Sequence, residues 1–542
     1  MARTLRRLTP LAGALPLLVL WGLPLLLSFM VLAASAADTG AWRQLMLHPQ
    51  LWPALGLSLL TGGGAALAAL LLTLIILAGL HGTGLWRRLQ AFAAAGLAVP
   101  HLAFAIGFGF LIMPAGLIAR LAAPGEAPPA WITVQDPWGL WLMAALAVKE
   151  VPFLITAAFA ALFRGDSARL AEQHMRAAAS LGHGKGSAFL RIILPRLLNE
   201  LRWPLIIVFV YGATVVDMAL VLGPTQPPSL AVVIWHALTD VDPQVNRMGL
   251  TATLLLTAVL ATAILATHAV LRVSHNGLHR FLSAGPSTLR APRAAARVTG
   301  FAVAALPVLT LLLLLLLSAA PRWPWPDILP PLGGGTAWAT LAAEPAPLLL
   351  SLGLALAASV LSILLAVLWL ETQRESLDRW LLWLALAALA VPQLAVAGGQ
   401  YRLFLDLGLA GTVAGLFLSH LTPTLAYVMI VLSGPYRAFD GRYMKAAQAL
   451  NVAPWSGLLR VKLPLLKGPL LTAAAIGFAV SIVQYVPAQL IAAGRYATLP
   501  MEAVTLSSGG SRPLTAAYAL ALSLPPLVAF LLAGWLARPR WH

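Results

Sequence analysis

Long apolar runs alternate along the chain with short polar or basic stretches. A bilayer span takes about 20 mainly apolar residues. Twelve runs reach that length: roughly 11–33, 54–80, 89–112, 138–163, 203–223 and 248–271, then 298–320, 346–370, 381–405, 411–433, 470–491 and 513–536. The pattern predicts an all-α integral membrane protein with twelve transmembrane helices. The first run follows Arg3, Arg6 and Arg7 and ends near Ala33-Ala34-Ser35-Ala36, which resembles a signal-peptide cleavage site. It is longer than the 7–15 apolar residues of a signal peptide, so it is expected to stay as a membrane helix.

Composition agrees. Of 542 residues, 60% are hydrophobic and 10% charged, with a mean hydropathy of +0.86. A soluble protein carries about a quarter charged residues, so an ordinary globular enzyme and a disordered chain are both excluded. The absence of cysteine removes disulfides, thiolate metal sites and a cysteine nucleophile. Thirty of the basic residues are Arg and 5 are Lys, which reads as genome bias.

A net charge of +17 would point to nucleic acid in a soluble chain. Sorted by connection, it means something else. With the N-terminus inside, cytoplasmic segments hold 27 of the 35 Lys and Arg, and external ones hold 7. That is the positive-inside pattern, with both termini cytoplasmic. The charge records topology, and no nucleic-acid partner is expected.

External connections are short and rich in Pro and Trp, such as Pro321–Pro326, reading PRWPWP. Two predicted cytoplasmic connections are long, about 164–202 and 434–469. The basic segment 273–297, with Arg280, Arg290, Arg293 and Arg297, reads as a linker between six-helix halves at 1–272 and 298–542.

The two long connections repeat. Met175–Leu197 reads MRAAASLGHGKGSAFLRIILPRL and Met444–Leu466 reads MKAAQALNVAPWSGLLRVKLPLL, with 10 of 23 positions identical at an offset of 269. Val99-Pro100 matches Val391-Pro392, and Val151-Pro152 matches Thr422-Pro423. Landmarks in one order against six spans each mark tandem copies in the same orientation. Within the first copy, Ala177, Ala178 and Ala179 favour helix. Gly182 and Gly184 end it. A second short helix, about Ser187–Ile193, follows, and Pro195 opens the next span.

These residues resemble the EAA loop of ABC importer permeases, in which Glu-Ala-Ala is followed by Gly and then Ile-x-Leu-Pro. Ala177, Ala178, Gly182, Leu194 and Pro195 fit in the first copy. Ala446, Ala447, Asn451, Leu463 and Pro464 take the same places in the second. The chain resembles a fused double permease of the iron(III), thiamine and polyamine importer group. The runs Ala105–Leu111 and Val134–Leu140 look closest to the YnjC-type permeases, and the likeness covers essentially the whole chain.

The resemblance implies two type I, MetI-like permease domains in a bacterial inner membrane. It implies ATPase-coupling loops that dock on separate ABC ATPase subunits, two copies, and a periplasmic solute-binding protein as a further partner. No cofactor is expected on this chain; ATP and Mg would be used by the partner subunit. Two departures stand out. Arg176 and Lys445 replace the motif's Glu, and Asn451 replaces its Gly, although Asn tolerates a left-handed turn better than most residues.

No stretch fits the phosphate-binding pattern G-x-x-x-x-G-K-[ST], since Lys185 is followed by Gly186. The chain is therefore expected not to be an enzyme. No His, Asp or Glu cluster has metal-ligand spacing, and no HExxH or GxSxG occurs. His101, His268 and His420 read as hydrogen-bonded interior residues.

Charge at membrane depth is the other signal, because it should face the bundle or a wet cavity. Lys149 and Glu150 fall near the middle of the fourth run and Asp217 near the end of the fifth. Their approximate repeat counterparts are His420, Leu421 and Gln484, and His101 corresponds to Gln393. These residues either line a translocation path or, for Lys149 and Glu150, neutralise each other locally. Pro100, Pro152, Pro392 and Pro423 either kink helices around a cavity or are ordinary membrane-helix prolines. An ion-coupled secondary transporter of two six-helix halves is the alternative. A membrane-embedded transferase would need acidic or His clusters and a larger exposed loop.

Overall fold

A computed structural model describes residues 13–81, 83–123, 125–162, 165–284 and 290–538. The predicted N-terminal arginines Arg3, Arg6 and Arg7, and part of the linker, lie outside them; of Arg280 only the helical backbone is described. Every regular element among the described residues is helical. Among the described residues nine helices are long and apolar enough to cross a membrane, or up to eleven if two bent pairs count as one span each. The bent pairs are Glu375–Ala390 with Gln393–Asp406, at 99°, and Pro454–Leu465 with Lys467–Ile482, at 78°.

The fifth apolar run is not one uniform span. Its helix, Leu194–Thr214, carries Arg196, Glu200 and Arg202 in its first turns, then breaks at Val215-Val216 before a short helix, Asp217–Leu222. The third run breaks at Val99-Pro100, between Trp86–Ala98 and His101–Ile112, because proline bars helical backbone in the residue before it.

The helices gather into two compact units. One holds 1–42, 237–251 and 336–542; the other holds 43–236 and 252–335. Each unit therefore includes the first long helix of the other sequence half. In one unit Gly13–Ala37 packs against Gln393–Asp406. Trp21 is fully buried there and its indole donates 2.8 Å to the Thr422 carbonyl. In the other, Arg293–Ser318 packs against Leu51–Leu80 and His101–Ile112.

A glycine admits each incoming helix. A Cβ on Gly107 would meet Thr310 at 2.9 Å (Cβ) and 3.0 Å (carbonyl O); a Cβ on Gly399 would run into the Ser28 carbonyl. Gly107 and Gly399 are 292 residues apart, the offset of the Val-Pro landmarks. Small residues that let backbones approach are how membrane helices pack without a hydrophobic driving force between them.

A second contact repeats. Ser58 Oγ accepts from the N–H of Leu230 at 2.9 Å, and Ser351 Oγ accepts from that of Leu499 at 2.8 Å. Each satisfies a donor at a helix start that has no partner within its own helix. The duplication is thus visible in hydrogen bonds far apart in sequence.

The Pro/Trp-rich segment is pinned by Arg120, which is 1% exposed. Its guanidinium donates to the carbonyls of Ala115, Trp323, Pro324 and Asp327 and lies 4.0 Å from the Trp323 ring centroid. Large apolar side chains such as Met30, Leu67, Leu265, Leu364 and Leu531 are exposed along the long helices, as a lipid-facing surface requires.

Candidate coupling loops and polar clusters in the spans

The two repeated loops fold alike. The first begins with the helix Gly165–Ser180 and the second with Arg442–Ala449. Each stops at a left-handed residue, Gly182 with φ +81° and Asn451 with φ +58°. The next N–H turns back to the helix: His183 donates to the Ala178 carbonyl and Val452 to that of Ala447, both at 3.0 Å. This is a Schellman-type cap, which needs positive φ at one position. Ala178 and Ala447 are buried under their turns; Ala177 and Ala446 are exposed.

Beyond each cap the chain re-enters helix and passes through one turn of π-helix, Phe189–Ile193 and Leu458–Lys462, again 269 apart. Pro195 and Pro464 follow at once. A proline lacks the N–H that the preceding turn would use, and a π turn absorbs the mismatch. Leu194 is buried, Leu463 half-buried and Pro464 exposed.

At the position of the motif's Glu, Arg176 is exposed and pairs within its own helix with Glu172 at 2.5 Å. Lys445 is exposed. Two residues escaped the sequence reading: Leu181 is 77% exposed and Leu450 78% exposed. They stand at matching loop tips, just before the left-handed residue. An apolar side chain offered twice in register is the signal that could have found them. Beside the first tip runs a groove of about 500 Å³ lined by His174, Ala178, Leu181, His183 and Arg191.

The first loop also touches a histidine. The His81 ring lies 4.9 Å from Trp86 and 6.3 Å from Phe189. Burial, and secondarily the Lys185 ammonium, hold His81 below its ordinary value, while Glu172 pulls the other way. A depressed histidine favours the fold above the unfolded-state value near 6.5, and that benefit is lost as pH falls. Melting in detergent should therefore drop between pH 7.5 and pH 5, and less so in His81→Phe. Equal pH slopes for the two proteins would refute this.

Within the spans the candidates separate into groups. Lys149, 2% exposed, donates to the carbonyls of Gly96 at 2.9 Å and Val99 at 2.7 Å. It closes the helix end opened by the Val99-Pro100 break. Glu150 instead faces His101, Oε1 to Nε2 at 3.1 Å, and the His101 ring packs edge-on to Tyr211 at 5.0 Å. Asp217 begins its short helix within electrostatic reach of His101. The structure thus pairs His101 with Glu150 and sets Asp217 near His101.

In the other unit His420 Nδ1 lies 3.0 Å from Ser481 Oγ, and Gln484 donates to the His420 carbonyl at 3.1 Å. His420 Nε2 and Gln484 Oε1 are buried without a hydrogen-bond partner among the described residues. Gln393 is exposed at the start of its helix, matching His101. At the fixed 269 offset Gln484 falls on Val215, two residues before Asp217. His268 is half-buried on the helix Pro243–Ala284, apart from these groups.

No family model matches the chain. Curated proteins do. The inner membrane ABC transporter permease protein YnjC of Escherichia coli is 32% identical over 536 residues, covering 98% of each chain. The chain belongs to the YnjC-type ABC transporter permeases. Two other permeases match more narrowly. The thiamine transport system permease protein ThiP of Salmonella typhimurium is 31% identical over 28% of this chain and 30% of its own. The spermidine/putrescine transport system permease protein PotC of Haemophilus influenzae is 24% identical over 28% of this chain and 59% of its own. This permease is accordingly a multi-pass inner-membrane transport subunit.

Proposed function

We propose that this permease forms the translocation path of a binding-protein-dependent ABC importer. It has twelve membrane helices in two six-helix halves, 1–272 and 298–542, joined by the linker 273–297, with both termini cytoplasmic. The loops about 164–202 and 434–469 dock on two separate ATPase subunits, which bind ATP and Mg. A periplasmic solute-binding protein delivers solute outside. The observation that carries this reading is the pair of identical caps at Gly182 and Asn451, each presenting an exposed leucine. Two surfaces of the same shape in one chain suit two copies of one partner. The relatives favour this over an ion-coupled secondary transporter.

His101, Glu150 and Asp217, with His420, Gln484 and Gln393, are the groups this reading places along the path. The test lies at the caps. A β-branched residue in a left-handed conformation costs about 1–2 kcal/mol, so Gly182→Val and Asn451→Val should deform the tips. Reconstituted with ATPase and binding protein, both variants should lose most stimulated ATP hydrolysis while still inserting in the membrane. Asn451→Gly should retain it. Full stimulation in both valine variants would sink the coupling assignment.

A further inference from the structure

The second loop is fastened to its membrane helices by a charged joint. In the second loop Lys462, the last residue of the π turn, donates 2.8 Å to Glu371 at the end of Ala346–Thr372. Tyr436, near the end of Val413–Arg437, donates 2.8 Å to the same carboxylate oxygen. The Lys462 ammonium also lies 4.0 Å from the centroid of the Tyr436 ring. One residue on, Arg437 grips Asp378 with two contacts, at 2.6 and 3.0 Å, and donates to the Gln373 carbonyl at 3.1 Å. Trp369 donates to Asp378 at 2.9 Å. Asp378 begins the bent third span of that half, since it lies in the first turn of Glu375–Ala390. Three membrane helices and the loop therefore meet in one charged joint. It is shielded, with Asp378 side-chain exposure of 7% and Lys462 of 15%.

Among the described residues, the corresponding place in the first loop holds an aromatic cluster, beside which Lys185 and Glu172 act on His81. Lys462 corresponds to Ile193 in the 269 register. In the register of the paired serines, Glu371 corresponds to Ala78 and Asp378 to Leu85. Here Phe189, the first residue of the π turn, is 1% exposed and packs toward His81, and Trp86 packs on Phe159 at 4.7 Å between centroids. Apolar contacts tolerate sliding, because they are non-directional. A lysine shared between a carboxylate and a ring is fixed in direction.

We propose that Lys462 and Glu371 are positioning residues that transmit movement of the second coupling loop into the membrane helices. This inference rests on the coupling-loop reading above.

The test uses the full permease assembled with its ATPase and binding protein in liposomes. Two quantities are read: ATPase subunit retained on purification, and the factor by which binding protein stimulates ATP hydrolysis. Stimulation must cross the membrane through the permease, so it reports linkage without a known solute. Glu371→Gln and Lys462→Gln should each lower the factor about fivefold with the ATPase retained. The reversed pair, Glu371→Lys with Lys462→Glu, should recover to within about twofold of the native factor, as a pairwise term would. Recovery by charge reversal is a result that mere loss of folding cannot give.

The inference is overturned if both neutral variants keep the native factor, or if the reversed pair is no better than the singles. If the native permease retains no ATPase subunit, the coupling reading itself falls and this inference with it.

Discussion

Replacing Gly399 with valine should prevent stable assembly of the unit built from the chain's first helix and its second half. A Cβ there runs into the Ser28 carbonyl of Gly13–Ala37, and a backbone atom cannot rotate aside as a side chain can. Overpacking costs about 1–3 kcal/mol where neighbours yield. Against backbone the upper end, about 3 kcal/mol, is the proper expectation. Gly107→Val should behave alike, since its Cβ would meet Thr310. Gly353→Ala is the control, because nothing lies within 4 Å of that added carbon. Detergent-solubilised protein, followed by size-exclusion recovery and thermal melting, checks all three. A Gly399→Val protein that melts with the native would refute the packing account.

Lys149→Met should be the second severe change, and it should injure the fold rather than the choice of solute. The ammonium satisfies two carbonyls at the end of Trp86–Ala98, both left open by the proline break. Hydrogen bonds to charged groups are worth about 1.5–3 kcal/mol, and an orphaned buried acceptor adds desolvation cost. A loss of about 3 kcal/mol is therefore expected. Glu150→Gln keeps a partner for His101 and should stay within about 1 kcal/mol of native stability. Its effect should appear in transport. Melting curves beside uptake in reconstituted vesicles decide the matter. A Lys149→Met protein of native stability but poor uptake would return Lys149 to the path.

The neighbouring residues Lys149 and Glu150 show what sequence can and cannot convey. Two opposite charges side by side in a span read equally well as a mutual pair or as a lining. They point to different partners because the nearby helix end demands donors and His101 demands an acceptor. Neither demand is visible until the Val99-Pro100 break is placed against the fourth span.

The coupling loops were more legible. Helix formers, a residue permitting positive φ and a proline are local signals, and repetition in register removes coincidence. The π turns were not legible, because i to i+5 bonding has no sequence pattern of its own. Nor was the origin of each unit's first helix. An apolar run states that lipid surrounds a helix, but not which helix stands beside it; Gly107 and Gly399 are the trace, and inside apolar runs they carry no distinguishing pattern.

The crossed origin of those first helices has a consequence for the gene. A polypeptide severed between the repeats would give two fragments, neither able to complete a compact unit alone. Expressed together they should complement each other, as an obligate heterodimer does. Joining them in one reading frame then holds each fragment near its counterpart at an effective concentration of about millimolar for a short flexible connection. Fusion would matter most when the protein is scarce in the membrane, where separate halves would seldom meet.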